Sequence, residues 1–266
     1  MHKLVLLLLL PAPALPGQVV PIAMHGSVAV ASVHLNGQGP FRMIVDTGAS
    51  SCSVSPKVAG LLQLSAEYRV LDVTPAGQRL IPGSKSVEVA IGTRAAQNVE
   101  FLWQESRGLT EAGLEVDGVL GQSFLSRFDY LLDYKSRQLV LDSGAAPGKR
   151  VRFTRVAGRM LLPAMNPAEG SMRLILDSAA SNLFLWRVRD RQVPATPASL
   201  IAMNGHRAVS LLHMPLLVVG DQVFQRLDAV VAPAPDEDRQ EDGLLPAGLF
   251  RSIYVNNSES YVKLRR

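Results

Sequence analysis

The sequence is short of the residues that several common chemistries require. Cys52 is the single cysteine in 266 residues, so no disulfide forms within the chain and a thiolate zinc site lacks its second sulfur. The five histidines, at 2, 25, 34, 206 and 213, have no metal-ligand spacing, and no GxSxG, HExxH or CxxC string is present. Neither a metal nor an organic cofactor is therefore expected. Charge is sparse, with 19% charged residues and a net charge of +4. Lys and Arg are scattered, apart from small groups such as Arg187, Arg189 and Arg191, and aromatic residues do not interleave with them. A nucleic-acid surface needs a denser basic stripe, which excludes nucleic acid as the expected partner. Gly144 to Arg150 mimics a phosphate loop, but it is one residue short and has Arg150 where a magnesium-binding hydroxyl belongs. It reads as a linker.

Long apolar runs are missing as well. The opening MHKLVLLLLLPAPAL has a positive start, an apolar run too short to span a bilayer comfortably, and a small-x-small site at Ala12-Pro13-Ala14. Residues 1–16 are expected to be an export signal, which places the protein in the periplasm or outside a bacterial cell with no stable membrane span. No cysteine follows the run, so a lipoprotein anchor is not expected. What the chain does have is 47% hydrophobic residues, a globular composition long enough to bury a sizeable core.

The chain also repeats itself. RMIVDTGAS (42–50) is answered by RLILDSAAS (173–181), and DGVLGQSFLSRFDYLLDY (117–134) by DGLLPAGLFRSIYVNNSE (242–259). Between them, Ala76-Gly77-Gln78 followed by a strand pair is answered by Asn204-Gly205-His206 and another such pair. The three landmarks keep their order at offsets of about 125–131 residues, the signature of internal duplication. The expected division is an N-terminal lobe over 17–142, a linker over 143–150 and a C-terminal lobe over 151–266. Both halves read as short apolar or alternating runs parted by turn signals. VAVASVHL, Asn36-Gly37 and PFRMIV predict one hairpin, and VEVAIG with VEFLW predicts another. SPKVAGLLQL, with Ser55 as cap and Pro56 at the first position, is the best helix candidate. The fold class expected is all-β with minor helix.

Asp46 ends the apolar strand Phe41 to Val45 and precedes Thr-Gly-Ala-Ser. Alone, it reads first as a turn-capping carboxylate. Asp177 follows an equivalent strand and precedes Ser-Ala-Ala-Ser. If the halves pack about a pseudo-twofold axis, the two carboxylates meet, and two such groups cannot both ionise cheaply. They share a proton, and such a pair suits activation of a water for amide hydrolysis.

DTGAS at 46–50, DSAAS at 177–181 and Val119-Leu120-Gly121 resemble the retropepsin-like and pepsin-like aspartic peptidases, in the bacterial form that carries two copies in one chain. The resemblance runs from about residue 20 to the C-terminus. It implies a bilobal acid-protease fold with a central cleft, a peptide or protein substrate and a monomeric enzyme. It also implies that Asp46 and Asp177 are the catalytic aspartates and that Thr47 and Ser178 interlock beneath them. Gly48 and Ala179 match positions whose N–H groups bond to the carboxylates, and Gly77 and Gly205 match the tips of flaps. The bland reading of those two glycines is an ordinary hairpin.

The second copy departs from the pattern at Ala179, where glycine is expected, and at Pro246, where the first copy has Gly121. A methyl at 179 is costly if the turn needs positive φ or a close approach, and Pro246 prevents the loop behind Asp177 from copying its counterpart. These departures keep a second reading open, a catalytically inactive module that binds peptides or proteins in the same cleft. Asp117 and Asp242 are expected in loop or turn roles, and Pro235 to Asp242 as a solvated acidic loop. Cys52 is expected to be a small buried thiol.

Overall fold

The computed structural model describes residues 17–144, 146–186, 188, 194–203, 205–232 and 239–266. The expected export signal, the Arg187, Arg189 and Arg191 group, Asn204 and residues 235–238 of the acidic loop lie outside the described residues.

The expected hairpins and helix are present. β1 (Gln18–His25), β2 (Val28–Leu35) and β3 (Gln38–Val45) form a meander. Its second turn uses Asn36 and Gly37, both at positive φ, the requirement of a two-residue turn matched to strand twist. β4 (Cys52–Val54) leads into α1 (Pro56–Leu61). There the Ser55 hydroxyl accepts from the Val58 N–H, and Pro56 fills a position whose own N–H would go unused. β5 (Tyr68–Thr74), β6 (Gly77–Ile91) and β7 (Arg94–Trp103) follow. The half closes with α2 (Arg107–Glu111), β8 (Gly118–Leu120), α3 (Gln122–Leu125), β9 (Tyr130–Asp133) and β10 (Gln138–Leu141).

The second half runs through β11 (Arg150–Arg152), β12 (Thr154–Val156), β13 (Arg159–Asn166) and β14 (Gly170–Asp177). β15 (Leu183–Leu185), β16 (Ala195–Ala202), β17 (Gly205–Val219) and β18 (Gln222–Val231) come next. β19 (Gly243–Pro246), a 3-10 turn at Ala247–Leu249, β20 (Ser252–Asn256) and β21 (Tyr261–Arg265) complete it. No helix among the described residues is long and apolar enough to cross a membrane.

The pairing of strands repeats with the sequence. β3 lies parallel to β8, with Val45 beside Leu120, and β14 lies parallel to β19, with Leu176 beside Leu245. β4 pairs parallel to β7 and antiparallel to β8, and β15 stands in the same relation to β18 and β19. A strand buried on both faces reads as an unbroken apolar run, which explains Met43-Ile44-Val45 and Leu174-Ile175-Leu176. All six of those side chains are buried.

The halves are not independent. A 13-stranded sheet runs β11-β21-β20-β9-β10-β1 and then onward through the first half. Its seam is the antiparallel pair β20–β9, where Ile253 sits opposite Leu132. Leu132, Leu139, Ile253 and Val262 are fully buried within one apolar cluster that takes in both halves. Burial of each such side chain contributes about 1.5–3 kcal/mol, so the seam holds the two Asp-bearing strands in a fixed relation.

Candidate active site

Asp46 is the first residue after β3 and Asp177 the last of β14, so each carboxylate leaves a buried strand into a turn of small residues. A carboxylate there needs donors, and the turns supply them. The N–H groups of Gly48 and Ala49 donate to Asp46 Oδ1 at 2.8 and 3.1 Å. Those of Ala179 and Ala180 donate to Asp177 Oδ1 at 2.8 and 2.9 Å. The two turns are near copies, and Ala179 provides the backbone donor that Gly48 provides.

Beneath the carboxylates the turns interlock. The Thr47 N–H donates to Ser178 Oγ at 2.9 Å, and the Ser178 N–H donates to Thr47 Oγ1 at 3.0 Å. Each hydroxyl then donates across the seam, Thr47 Oγ1 to Leu176 O at 2.8 Å and Ser178 Oγ to Val45 O at 2.6 Å. Both side chains are fully buried. Four buried bonds thus tie the ends of β3 and β14 together, and each carbonyl they satisfy belongs to a strand that carries an aspartate.

The Asp46 and Asp177 carboxyls lie close enough to interact directly, by charge and by hydrogen bonding. Burial, then the negative charge of Asp177, and the hydrogen bond between the two raise Asp46 above the ordinary carboxylate range. Asp177 is raised as well, by burial, with the Ala179 and Ala180 N–H groups, then the Arg159 cation and the bond from Asp46, offsetting part of that rise. Asp177 is buried and Asp46 keeps some accessible surface. Both carboxyls are thus raised and act on one another as a single coupled pair.

Gly48 and Ala179 differ for a reason unrelated to φ. Neither has positive φ, so the turns place no left-handed demand on them. A Cβ at Gly48 would lie 2.5 Å from Asp177 Cγ and 2.7 Å from Oδ2. Glycine at 48 therefore reflects a close backbone approach to the opposite carboxylate. The Ala179 methyl is accommodated, packing against the apolar cluster of Val28, Val30, Ile44, Leu114 and Val119.

The loops behind the aspartates do differ, as Pro246 requires. In the first half the Gly121 N–H meets Cys52 Sγ at 3.3 Å, and Gln122 and Ser123 donate to Ala49 O and Ser50 O. Gln122 Nε2 also donates to Thr47 O at 2.9 Å. In the second half Pro246 has no N–H, and Leu183 stands where Cys52 would receive it. Donor and acceptor are replaced together. Cys52 is buried, and burial pushes its thiol up to about 11, so it stays protonated.

Asp117 and Asp242 anchor rather than react. Asp117 Oδ2 accepts the Arg42 N–H at 2.7 Å, and Asp242 Oδ2 accepts the Arg173 N–H at 2.8 Å. Each clamps the start of a segment that pairs alongside the Asp-bearing strand.

Gly77 and Gly205 lie at the turns of two long hairpins, β5–β6 and β16–β17, at φ of 148° and 139°. The hairpins meet. Arg207 Nη1 donates to Pro75 O at 3.0 Å, and the Gly108 N–H of α2 donates to Met203 O at 3.3 Å. His206 Nε2 lies 2.7 Å from Glu111 Oε2. Val70, Leu71, Leu80 and Ile201, all on these hairpins, are exposed large apolar side chains of the kind a bound peptide would cover. The spacing of turn signals identified the hairpins, but nothing local in the sequence announced that they touch.

The acidic loop needs a correction. Glu241 is buried, not solvated. Its Oε1 accepts from Arg239 Nη1 at 2.7 Å and lies 3.6 Å from Arg159 Nη2.

Residues 31–127 match the family described as gag-polyprotein putative aspartyl protease. That span contains Asp46, the β5–β6 hairpin and Val119-Leu120-Gly121, and stops short of Asp177. No curated protein matches the chain. Among solved structures, the crystal structure of a retropepsin-like aspartic protease from Rickettsia conorii is similar, at 19% identity and a TM-score of 0.36. The match covers 47% of this chain and 89% of that one.

Proposed function

We propose that this chain, whose N-terminal half is a retropepsin-like aspartyl protease lobe, hydrolyses peptide bonds with a water activated by Asp46 and Asp177. The observation that carries the reading is two carboxyls from the two halves, each fixed by two N–H groups, above one interlocked pair of turns. Asp177, ionised, takes a proton from the water as its oxygen attacks the scissile carbonyl carbon, while Asp46 gives its proton to the carbonyl oxygen. The tetrahedral diol then collapses, the C–N bond breaks, and a proton passes to the leaving amine. The hairpins at Gly77 and Gly205 act as flaps over an extended peptide. Both aspartates lie in one chain, which supports a monomer as the active unit. Thr47, Ser178, Gly48 and Ala179 act by positioning.

The test is incubation with a mixed peptide library across pH, read by mass spectrometry. Cleavage at acid to neutral pH, carried by a monomeric gel-filtration peak and blocked by a hydroxyl-bearing tetrahedral analogue, is the expected result. Binding of peptides without cleavage at any pH would replace this reading with that of an inactive binding module. The charged start and apolar run of residues 1–10 support export to a bacterial periplasm, and the mass of protein recovered there reports whether the leader is removed.

The close approach at Gly48 gives a direct check. Gly48→Ala forces a methyl into the Asp177 carboxyl, and a displacement on the scale of 1 Å is worth about 10²-fold in kcat. Circular dichroism should be unchanged. Full activity in this variant would mean the Asp177 position is not critical.

A further inference from the structure

Beside Asp177 the second half does not repeat the apolar surroundings of Asp46. In the first half Val30 pairs with Ile44, so two residues nearer the carboxylates Val28 stands opposite Asp46. In the second half Leu161 pairs with Ile175, and the same step puts Arg159 opposite Asp177. The residues one and three before Asp117 are Val116 and Leu114, whereas those before Asp242 are Glu241 and Arg239. Three apolar side chains of the first half, Val28, Leu114 and Val116, are thus replaced together by Arg159, Arg239 and Glu241. Leu114 and Val28 are buried, and Val116 packs on the same cluster.

The replacements are wired to each other unequally. Arg239 holds Glu241 at 2.7 Å and stacks its guanidinium 3.9 Å from the Trp186 ring centroid, a short and well-fixed arrangement. Arg159 reaches the same Glu241 oxygen only at 3.6 Å, and its Nε meets Val156 O at 3.4 Å. Glu241 is thus held more closely by Arg239 than by Arg159, and Arg159 lies on the strand next to Asp177.

We propose that Arg159 is a positioning residue that makes the two aspartates unequal, holding the negative charge on Asp177 and leaving the shared proton on Asp46. The inference rests on the dyad reading above and deepens it, because it fixes which carboxylate is the base. Among the described residues, the charged and titratable groups around Asp177 are consistent with this role. Asp46 faces it across the lobes and donates to it, and Ala179 and Ala180 supply N–H groups from its own turn. Arg159 approaches from β13, with Glu241 and Arg239 behind. Asp242, on the neighbouring segment, is committed to the Arg173 N–H. Tyr134, just after β9, and Tyr130 are pushed up by burial and stay neutral. Arg159 is then the cation that separates Asp177 from Asp46, where the first half offers only Val28.

The experiment uses the full chain with Arg159→Met, Arg159→Lys and Glu241→Gln, reading the pH profile of kcat/KM. The ionisation of Asp177 sets the acid limb. Loss of the cation in Arg159→Met should move that limb up by about one pH unit with KM little changed, since an opposite charge at a few ångströms typically lowers a carboxylate by one to three. Arg159→Lys should keep the wild-type limb, and Glu241→Gln, which frees more of the cation's field, should move it down. An unmoved limb in Arg159→Met, or an equal shift in the Lys variant, overturns the proposal while leaving the peptidase reading in place. Titration of ¹³Cγ-labelled aspartates by NMR reads the same quantity without turnover. There, Asp177 titrating below Asp46 only when Arg159 is present is expected, and order independent of residue 159 overturns the idea. If Arg159→Met does not fold, the downward shift in Glu241→Gln decides, and an upward or absent shift counts against it.

Discussion

Asp46→Asn and Asp177→Asn should each lower kcat/KM for peptide cleavage by roughly 10³-fold or more, because proton transfer by a positioned group contributes about 10²–10⁴-fold and the pair acts as a unit. Neither change should unfold the chain. Asparagine keeps an oxygen to accept from Gly48 and Ala49 at position 46, or from Ala179 and Ala180 at position 177, so both turns remain satisfied. The stability effect has a definite sign. Asp46 is raised above its unfolded value, chiefly by burial and then by the charge of Asp177. A carboxyl raised on folding stabilises the protein at pH below its unfolded value, and that contribution is lost as pH climbs through the folded value. At neutral pH the unfolded wild type gains by ionising Asp46 freely, whereas an asparagine has no such gain. Asp46→Asn should therefore melt above wild type at neutral pH, with the gap closing below about pH 4. Calorimetry across pH reads the gap and a peptide assay reads the rate. Cleavage surviving in either variant would remove the dyad mechanism, and an Asp46→Asn protein less stable than wild type at neutral pH would remove the electrostatic account of it.

Much of this site was legible because its signals are local or repeated. Met43-Ile44-Val45 before DTGAS, and the same pattern 131 residues on, predicted two buried strands ending in carboxylates, and Asn36-Gly37 predicted its turn. The hairpins ending at Gly77 and Gly205 followed from turn chemistry. What the sequence hid is what depends on partners far along the chain. Tyr130–Asp133 and Ser252–Asn256 are short apolar strands with no local mark that they pair with each other at the seam. The turn motif left positive φ and a close approach as alternatives, and the group approached at Gly48 is the Asp177 carboxyl, contributed by the other half. Glu241 sits among acidic neighbours and reads as surface, because Arg159, one of the groups that allow its burial, lies on β13 of the same half. The exchange of Val28 for Arg159 lies outside the repeated motifs, where no local signal marks it.

The second large effect is expected in the interlock, and it should appear in stability before activity. Thr47→Val keeps the shape of the side chain but removes the hydroxyl that bonds Leu176 O and the Ser178 N–H, and Ser178→Ala does the same to Val45 O and the Thr47 N–H. Each orphaned buried group costs about 1–3 kcal/mol, so each variant should lose roughly 2–5 kcal/mol of unfolding free energy. Thr47→Ser retains the hydroxyl and should lose much less. The two hydroxyls do not bond to each other; each bonds to the backbone of the opposite turn, so they are coupled only through the distance between the lobes. Once one pair of bonds is gone the turns relax apart, and the second substitution has less left to break. The double variant should accordingly fall short of the sum of the singles by about 0.5–3 kcal/mol, the range found for residues sharing one network. Chemical denaturation measures all four corners of that cycle. Strict additivity, or a loss no greater than that of Thr47→Ser, would mean the interlock does not hold the lobes together. The carboxylates would then owe their contact to the shared sheet alone. If the cycle closes as expected, peptide cleavage should fall in the same order as stability, because Asp46 and Asp177 stay within hydrogen-bond reach only while Leu176 and Val45 remain tied across the seam.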